Sequence, residues 1–196
     1  MDRKNEPPDK RIRILEALNH CLQEKPFSQT SIKDIARTAG VNHGLLHYYF
    51  KNKEDILINY IDYVILHYKA VFEEWFADKR GNGLNQKQMT EAFFEFMNDR
   101  ITLNRQLSKV FIEIWEIGAY DRAVRQKLQA AYAEWMAALS GILDDGMSDD
   151  RTTRRMSTAI IAFLEGISLF SIILDPEQFD CQEILTGFQA RILEML

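Results

Sequence analysis

The chain has 196 residues, 46% of them apolar, with nine glycines, four prolines and a formal net charge of −5. That length holds one domain of ordinary size or a small domain joined to a larger one, and the composition is that of a globular chain. The acidic balance argues against indiscriminate nucleic-acid binding, and the two cysteines, Cys21 and Cys181, lack any metal-ligand spacing.

Residues 1–9, MDRKNEPPD, are charged and carry Pro7-Pro8, so a disordered arm is expected and a signal peptide is not. A first helix runs from Lys10 to about Glu24, with Ile14, Leu18, Cys21 and Leu22 on one face. A second starts near Thr30 or Ser31, where Ser31 and Asp34 make a capping-box pattern, and Ile32, Ile35 and Ala36 give it an apolar face. Gly40 stands where a helix end needs positive φ, and Asn42 caps a third helix to about Tyr48. Asn52 caps a long fourth helix to about Ala77, with Glu54 and Asp55 at its positive dipole end. The polar run Asp78–Gly83 breaks the chain. Further helices are predicted from about Asn85 to Arg100, Thr102 to Gly118, Arg122 to Asp144, Arg151 to Leu174 and Asp180 to Met195. The loop 144–150 holds Gly146 and four acids. No hairpin signal lies between alternating apolar runs, so the fold class is all-α with about nine helices. The longest apolar run, Ala159–Leu174, is interrupted by Glu165, Gly166 and two serines and reads as too short and too polar for a bilayer.

A helix, a short turn containing glycine and a second helix is a helix-turn-helix, whose second helix enters the DNA major groove. The stretch TSIKDIARTAGVNHGLLHYYFKNK resembles the tetracycline-repressor (TetR) family signature, T-I-x-x-I-A-x-x-A-G-V-S-x-G-x-L-Y-x-Y-F-x-x-K-E-x-L. Ile32, Ile35, Ala36, Ala39, Gly40, Val41, Gly44, Leu46, Tyr49, Phe50, Lys53, Glu54 and Leu57 fall on it in order and spacing. Three positions depart: Asn42 replaces Ser and keeps the cap, His47 replaces a phosphate-touching Tyr, and Lys25-Pro26 replaces the Gly before Phe27. The resemblance implies a DNA-binding domain over residues 10–55 and a ligand-binding and dimerisation domain over 56–196. Charge agrees: residues 1–55 carry ten basic and eight acidic side chains, and 56–196 carry fourteen and twenty-one.

Phosphate contacts set position and base contacts set sequence. Lys53, Thr30 and Ser31 at helix N-termini, with Arg37 and either Tyr48 or His47, are expected on phosphates. Asn42, His43, Gly44, Leu45 and His47 are expected at the bases, through Asn to adenine, His to guanine and Leu45 to a thymine methyl. Gly44 lets the helix approach closely.

The body is rich in aromatics, and the resemblance implies a pocket among them for a small-molecule effector whose binding releases double-stranded operator DNA. Tyr68, Phe93, Met97, Phe111 and Trp115 are the expected lining, and Glu113 and Glu116 hint at a cationic or hydrogen-bonding ligand. AIIAFLEGISLFSIILDP is similar to the family's penultimate helix. The last two helices then form the dimer interface, with Phe163, Ile167, Phe170, Ile184, Phe188 and Ile192 as its apolar residues; the bland alternative packs them on their own domain. The expectation is a cytoplasmic homodimeric repressor on a near-palindromic operator, with no cofactor, metal or membrane. The alternatives are an enzyme, for which no phosphate loop, nucleophile elbow or metal motif exists, and a helical homodimeric interaction or sensor protein without sequence-specific DNA binding. His43 and His47 at i, i+4 have zinc-like spacing without a third ligand nearby.

Overall fold

The computed structural model describes residues 9–144 and 149–196; the expected arm over 1–8 and most of the acidic 144–150 loop lie outside the described residues. The described residues form nine α-helices and no strand. They are α1 (Lys10–Glu24), α2 (Ile32–Ala39), α3 (His43–Tyr49), α4 (Lys53–Gly81), α5 (Gln86–Met97), α6 (Arg105–Tyr120), α7 (Arg122–Leu143), α8 (Asp150–Ile173) and α9 (Cys181–Glu194). A 3-10 turn, Phe27–Gln29, joins α1 to α2, and a π-helical turn, Asn98–Thr102, follows α5.

The helix starts follow from capping chemistry. Asp9, Ser31, Asn42, Asn52, Asn85, Asn104, Asp121, Asp149 and Asp180 each accept a backbone N–H of the first turn that they precede. Each such cap is worth about 1 kcal/mol, because it satisfies a donor the helix cannot. Gly40 ends α2 at φ +62°, and its amide bonds back to Ala36 and Arg37. Arg13 braces the same corner by donating to the Ala39 carbonyl at 2.7 Å.

Two apolar cores result. The first gathers Ile14 and Leu18 of α1, Ile35 and Ala39 of α2, Leu46 of α3, Phe50, and Ile56, Tyr60 and Val64 of α4. It also takes Val110 and Ile114 of α6 and Val124 of α7, so the body reaches into the head's core. Cys21 is buried there, as its spacing predicts. The second core packs Phe72, Phe93, Phe94, Leu107, Leu139, Ile160, Leu164 and Leu185 within the body. α6 and α7 approach closely at Gly118, where a Cβ would stand 2.6 Å from the Leu128 side chain.

Three expectations change. α5 stops at Met97, short of the expected Arg100, and gives way to the π-helical turn. α4 runs four residues beyond Ala77, to Gly81, with Lys79 and Arg80 at its negative dipole end. Arg151–Ile173, at mean hydropathy 1.9 over its best window, is long and apolar enough to cross a membrane by length and composition, against the reading of Ala159–Leu174 as too short and polar. Here that helix packs Ile160, Ile161, Leu164 and Ile167 into the second core against its neighbours.

Candidate nucleic-acid interface and ligand cleft

α3 is divided by its own geometry. Leu46 is fully buried and Phe50, just past the helix, is nearly so, whereas Asn42, His43, Gly44, His47 and Tyr48 are exposed. Leu45 is half-buried beside them. The buried residues fix the helix to α1 and α2, and Arg11 stacks its guanidinium 5.6 Å from the Phe50 ring centroid. The outward set comes from consecutive turns of one face, so a flat polar ridge projects from the head.

Asn42 spends its carbonyl oxygen on the Leu45 amide at 2.7 Å, leaving its amide nitrogen as the group that can read a base. His43 and His47 lie edge to face, ring centroids 4.5 Å apart. No group of three or more His, Cys, Asp or Glu side chains fit to hold a metal occurs among the described residues. Ser31 caps α2 and shares Asp34 with Lys25 and Arg37, both ion-paired to it at 2.8 Å. The Lys25 ammonium, then the Ser31 donors, hold the Asp34 carboxyl well below the usual carboxylate range. Arg37 remains mostly exposed, so its pair is weak and its guanidinium can still meet a phosphate.

Two expected phosphate contacts sit differently. Thr30 is buried, and its hydroxyl donates to the Pro26 carbonyl, which closes the turn in which Lys25-Pro26 stands in place of the family's Gly. Lys53 donates to the Phe27 carbonyl at 2.9 Å with its ammonium 4.2 Å from the Phe27 ring centroid. Lys53 therefore clamps the start of α4 to the 3-10 turn. The Phe27 amide in turn donates to the Glu113 carboxylate of α6 at 3.0 Å. Glu113, expected near a ligand, joins head to body instead, and Glu116 is exposed on the same helix.

The body holds a partly enclosed cleft between α4, α6, α7 and α8, next to the end of α5. Its cavity volume is about 60 Å³, so an occupant of drug size spreads the walls. Tyr68, Met97 and Phe111 line it as expected. Phe93 does not: it is fully buried in the second core against Phe72 and Phe94. Trp115 stands behind the wall, stacked on Phe111 and donating its indole N–H to the Tyr132 hydroxyl at 2.8 Å. That hydroxyl donates to Glu165 at 2.9 Å. Tyr132, Trp135 and Glu165 also line it, with six aliphatic side chains, and none of these three is among the lining residues expected from the sequence. Burial pushes the Glu165 carboxyl up to about 7, and the Tyr132 bond opposes that rise. The signal for it was present: a lone carboxylate inside the apolar run Ala159–Leu174. His67 is exposed and stacks on Tyr63 outside this lining.

The expected dimer residues divide by burial. Ile167 and Ile192 are buried in their own domain's core, which removes them from an outer face. Phe163 and Phe188 stack on each other at 3.9 Å between centroids, and Ile184 packs half-buried beside them. Phe170 is exposed, and the structure adds Ile173 and Leu174 beyond it, with Ala162 on the same helix and Gly187 and Ala190 on α9.

A capped helix-turn-helix with its second helix turned outward, carried on a helical body with an aromatic cleft, is the architecture of a DNA-binding regulator. Residues 14–60 match the family described as bacterial regulatory proteins of the tetR family, and residues 86–194 match the C-terminal region of BetI-type transcriptional repressors. The chain belongs to the TetR family of transcriptional regulators, a family of regulators and not of enzymes. It is 26% identical to the fatty acid metabolism regulator protein of Bacillus subtilis, over 95% of this chain and 93% of that one. Among solved structures, the fatty acid degradation regulator FadR of Bacillus halodurans superposes with a TM-score of 0.72 at 18% identity, covering 97% of both chains. FadR of Bacillus subtilis in complex with stearoyl-CoA superposes at 0.64 and 22%, covering 94% of this chain and 96% of that one. At those identities the structural likeness speaks for the fold.

Proposed function

We propose that the chain is a cytoplasmic homodimeric repressor that holds a near-palindromic operator and lets it go when a small apolar or amphipathic effector enters the cleft. The single observation that carries the reading is the divided face of α3, with Leu46 buried and Asn42, His43, Gly44, His47 and Tyr48 outward. Residues 10–55 read DNA, and residues 56–196 pair the protomers and take the effector. Asn42 and His47 read base edges, Leu45 meets a thymine methyl, and Tyr48, Arg37 and the α2 and α4 N-termini hold phosphates. Support for a ligand in the body comes from the stearoyl-CoA bound by the Bacillus subtilis neighbour.

Coupling runs through α6. Its middle carries Phe111 to the cleft, Glu113 to the Phe27 amide, and Val110 and Ile114 into the head's core. An effector that spreads α6 from α7 drags the 3-10 turn and, through Lys53, the start of α4. It acts only by binding the displaced arrangement better than the DNA-bound one.

The test is a salt-dependent gel shift with DNA upstream of the chain's own gene. A dimer that binds one fragment tightly, with affinity falling steeply with salt, supports the reading. A folded dimer that binds no fragment at low salt overturns it in favour of the interaction protein. In the same assay Lys53→Ala is expected to weaken every sequence alike without changing base preference. It should also cost about 1 kcal/mol of stability, since the Phe27 carbonyl keeps the Thr30 amide but loses the ammonium, and the Phe27 ring loses its cation. A changed base preference would move Lys53 to the reading layer.

A further inference from the structure

We propose that the effector is a lipophilic monovalent cation, an amine or quaternary ammonium, whose charge rests against Glu165 and whose apolar part lies among Tyr68, Phe111, Tyr132 and Trp135. This rests on reading the cleft as the effector site, and names the chemistry that site selects. The argument begins with what surrounds the carboxylate. Its protein partner is a neutral one, the Tyr132 hydroxyl, which the Trp115 indole holds in place from behind. No Lys, Arg or His lines the cleft; every other lining side chain is aliphatic, aromatic or Met. A carboxylate in such a place either takes up a proton or waits for a positive charge.

The four rings point to the second choice. Aromatic faces are electronegative and attract cations, most strongly where water is excluded. A carboxylate and four aromatic rings lining one cleft make an apolar site that favours positive charge. A fatty-acid carboxylate placed there would meet Glu165 as a like charge in a poorly screened setting. The cleft is thus suited to the opposite charge from a fatty acid, although the fold is shared with regulators of fatty acid metabolism.

A pH signature follows. The other titratable groups lining the cleft are Tyr68 of α4 and Tyr132 of α7, and burial raises both phenols, so they stay neutral around pH 7. The charged pairs linking these two helices, Lys69 with Glu134 and Lys127 with Asp62, lie outside the lining. Glu165 is pushed up to about 7 by burial. A permanent cation binds the ionised form, so binding releases a proton below that value. Affinity should be flat above pH 7 and fall by about tenfold per unit well below it.

The test is a charge series on the full-length chain at pH 8, read by tryptophan fluorescence and by release of a labelled operator. The probes are benzyltrimethylammonium, its neutral isostere 2,2-dimethylpropylbenzene, and phenylacetate. The cation is expected to bind at least about tenfold more tightly than the isostere, and phenylacetate more weakly than either. In Glu165→Gln the cation should lose that advantage while the isostere binds as it does to the unaltered chain. The inference is overturned if the isostere or phenylacetate matches the cation, or if Glu165→Gln leaves the preference intact. An uncharged or anionic probe that releases the operator would sink the cation and keep the cleft as effector site. Silence from all three probes, in both readouts, would sink the two together. The charge series on the unaltered chain requires no variant to fold.

Discussion

Leu46→Ala should lower the stability of the folded chain by about 2–5 kcal/mol and abolish operator binding under conditions where the unaltered chain binds tightly. Leu46 is the one fully buried side chain of α3, and it packs among Ile14, Leu18 and Ile35 in the first core. α3 has only seven residues, too few to be helical alone, so its geometry is supplied by this anchor and by the Asn42 cap. Removing the anchor leaves a cavity that the short helix cannot refill without turning, and turning moves His43 and His47 off the outward face. Leu46→Met conserves volume and should retain both properties within about 1.5 kcal/mol. Urea denaturation followed at 222 nm, with a gel shift on the same preparations, reads both effects. A loss under 1 kcal/mol for the alanine variant, with operator affinity unchanged, would show that α3 is held by something other than this contact.

The capping residues explain why so much of the fold is legible in the chain. A helix start is a local event: one Asn, Asp or Ser satisfies donors within three residues, and Ser31, Asn42 and Asn52 announce α2, α3 and α4 before any packing is considered. The head is legible for a second reason, since a seven-residue helix between fixed turns leaves little freedom in which face is buried. The end of α5 was not legible. A helix expected to Arg100 stops at Met97 and passes into a π-helical turn in which Asn98 Oδ1 and Thr102 Oγ1 are buried without a hydrogen-bond partner. No residue type in NDRIT signals an inserted residue; the turn answers to packing against α8, where Ser168 donates to the Thr102 carbonyl at 3.1 Å. The cleft was half legible. Aromatic richness announced a body able to form one, but Tyr68, Phe111, Tyr132 and Glu165 come from four helices, and only the crossing of those helices decides that Phe93 faces away. Apolar stripes on α8 and α9 likewise marked two buried faces without saying which belonged to the chain's own core. Ile167 and Ile192 turned out to be that core.

That division directs the second large effect. Five of the eight large apolar side chains exposed among the described residues, Phe170, Ile173, Leu174, Met195 and Leu196, lie on or just beyond α8 and α9. Ala162 on α8 and Gly187 and Ala190 on α9 are exposed on the same pair of helices, and small residues there let a second copy approach closely. The double variant Ala162→Arg, Ile173→Glu places charge on this face while touching no core residue. Its helicity and thermal midpoint as a monomer should stay within the range of ordinary surface substitutions, about 0.5 kcal/mol. Sedimentation should show a monomer where the unaltered chain is a dimer, and operator affinity should fall by about 10²–10⁴-fold. The reason is arithmetic: the second head reaches its half-site, roughly 34–36 Å away along the duplex, only because the first is already bound. A half-site duplex separates the causes, since the variant and the unaltered chain should bind it about equally. If the variant remains a dimer, pairing uses another surface. If it becomes a monomer and still holds the full operator as tightly as before, one head suffices, and the near-palindromic operator has no physical basis in this fold.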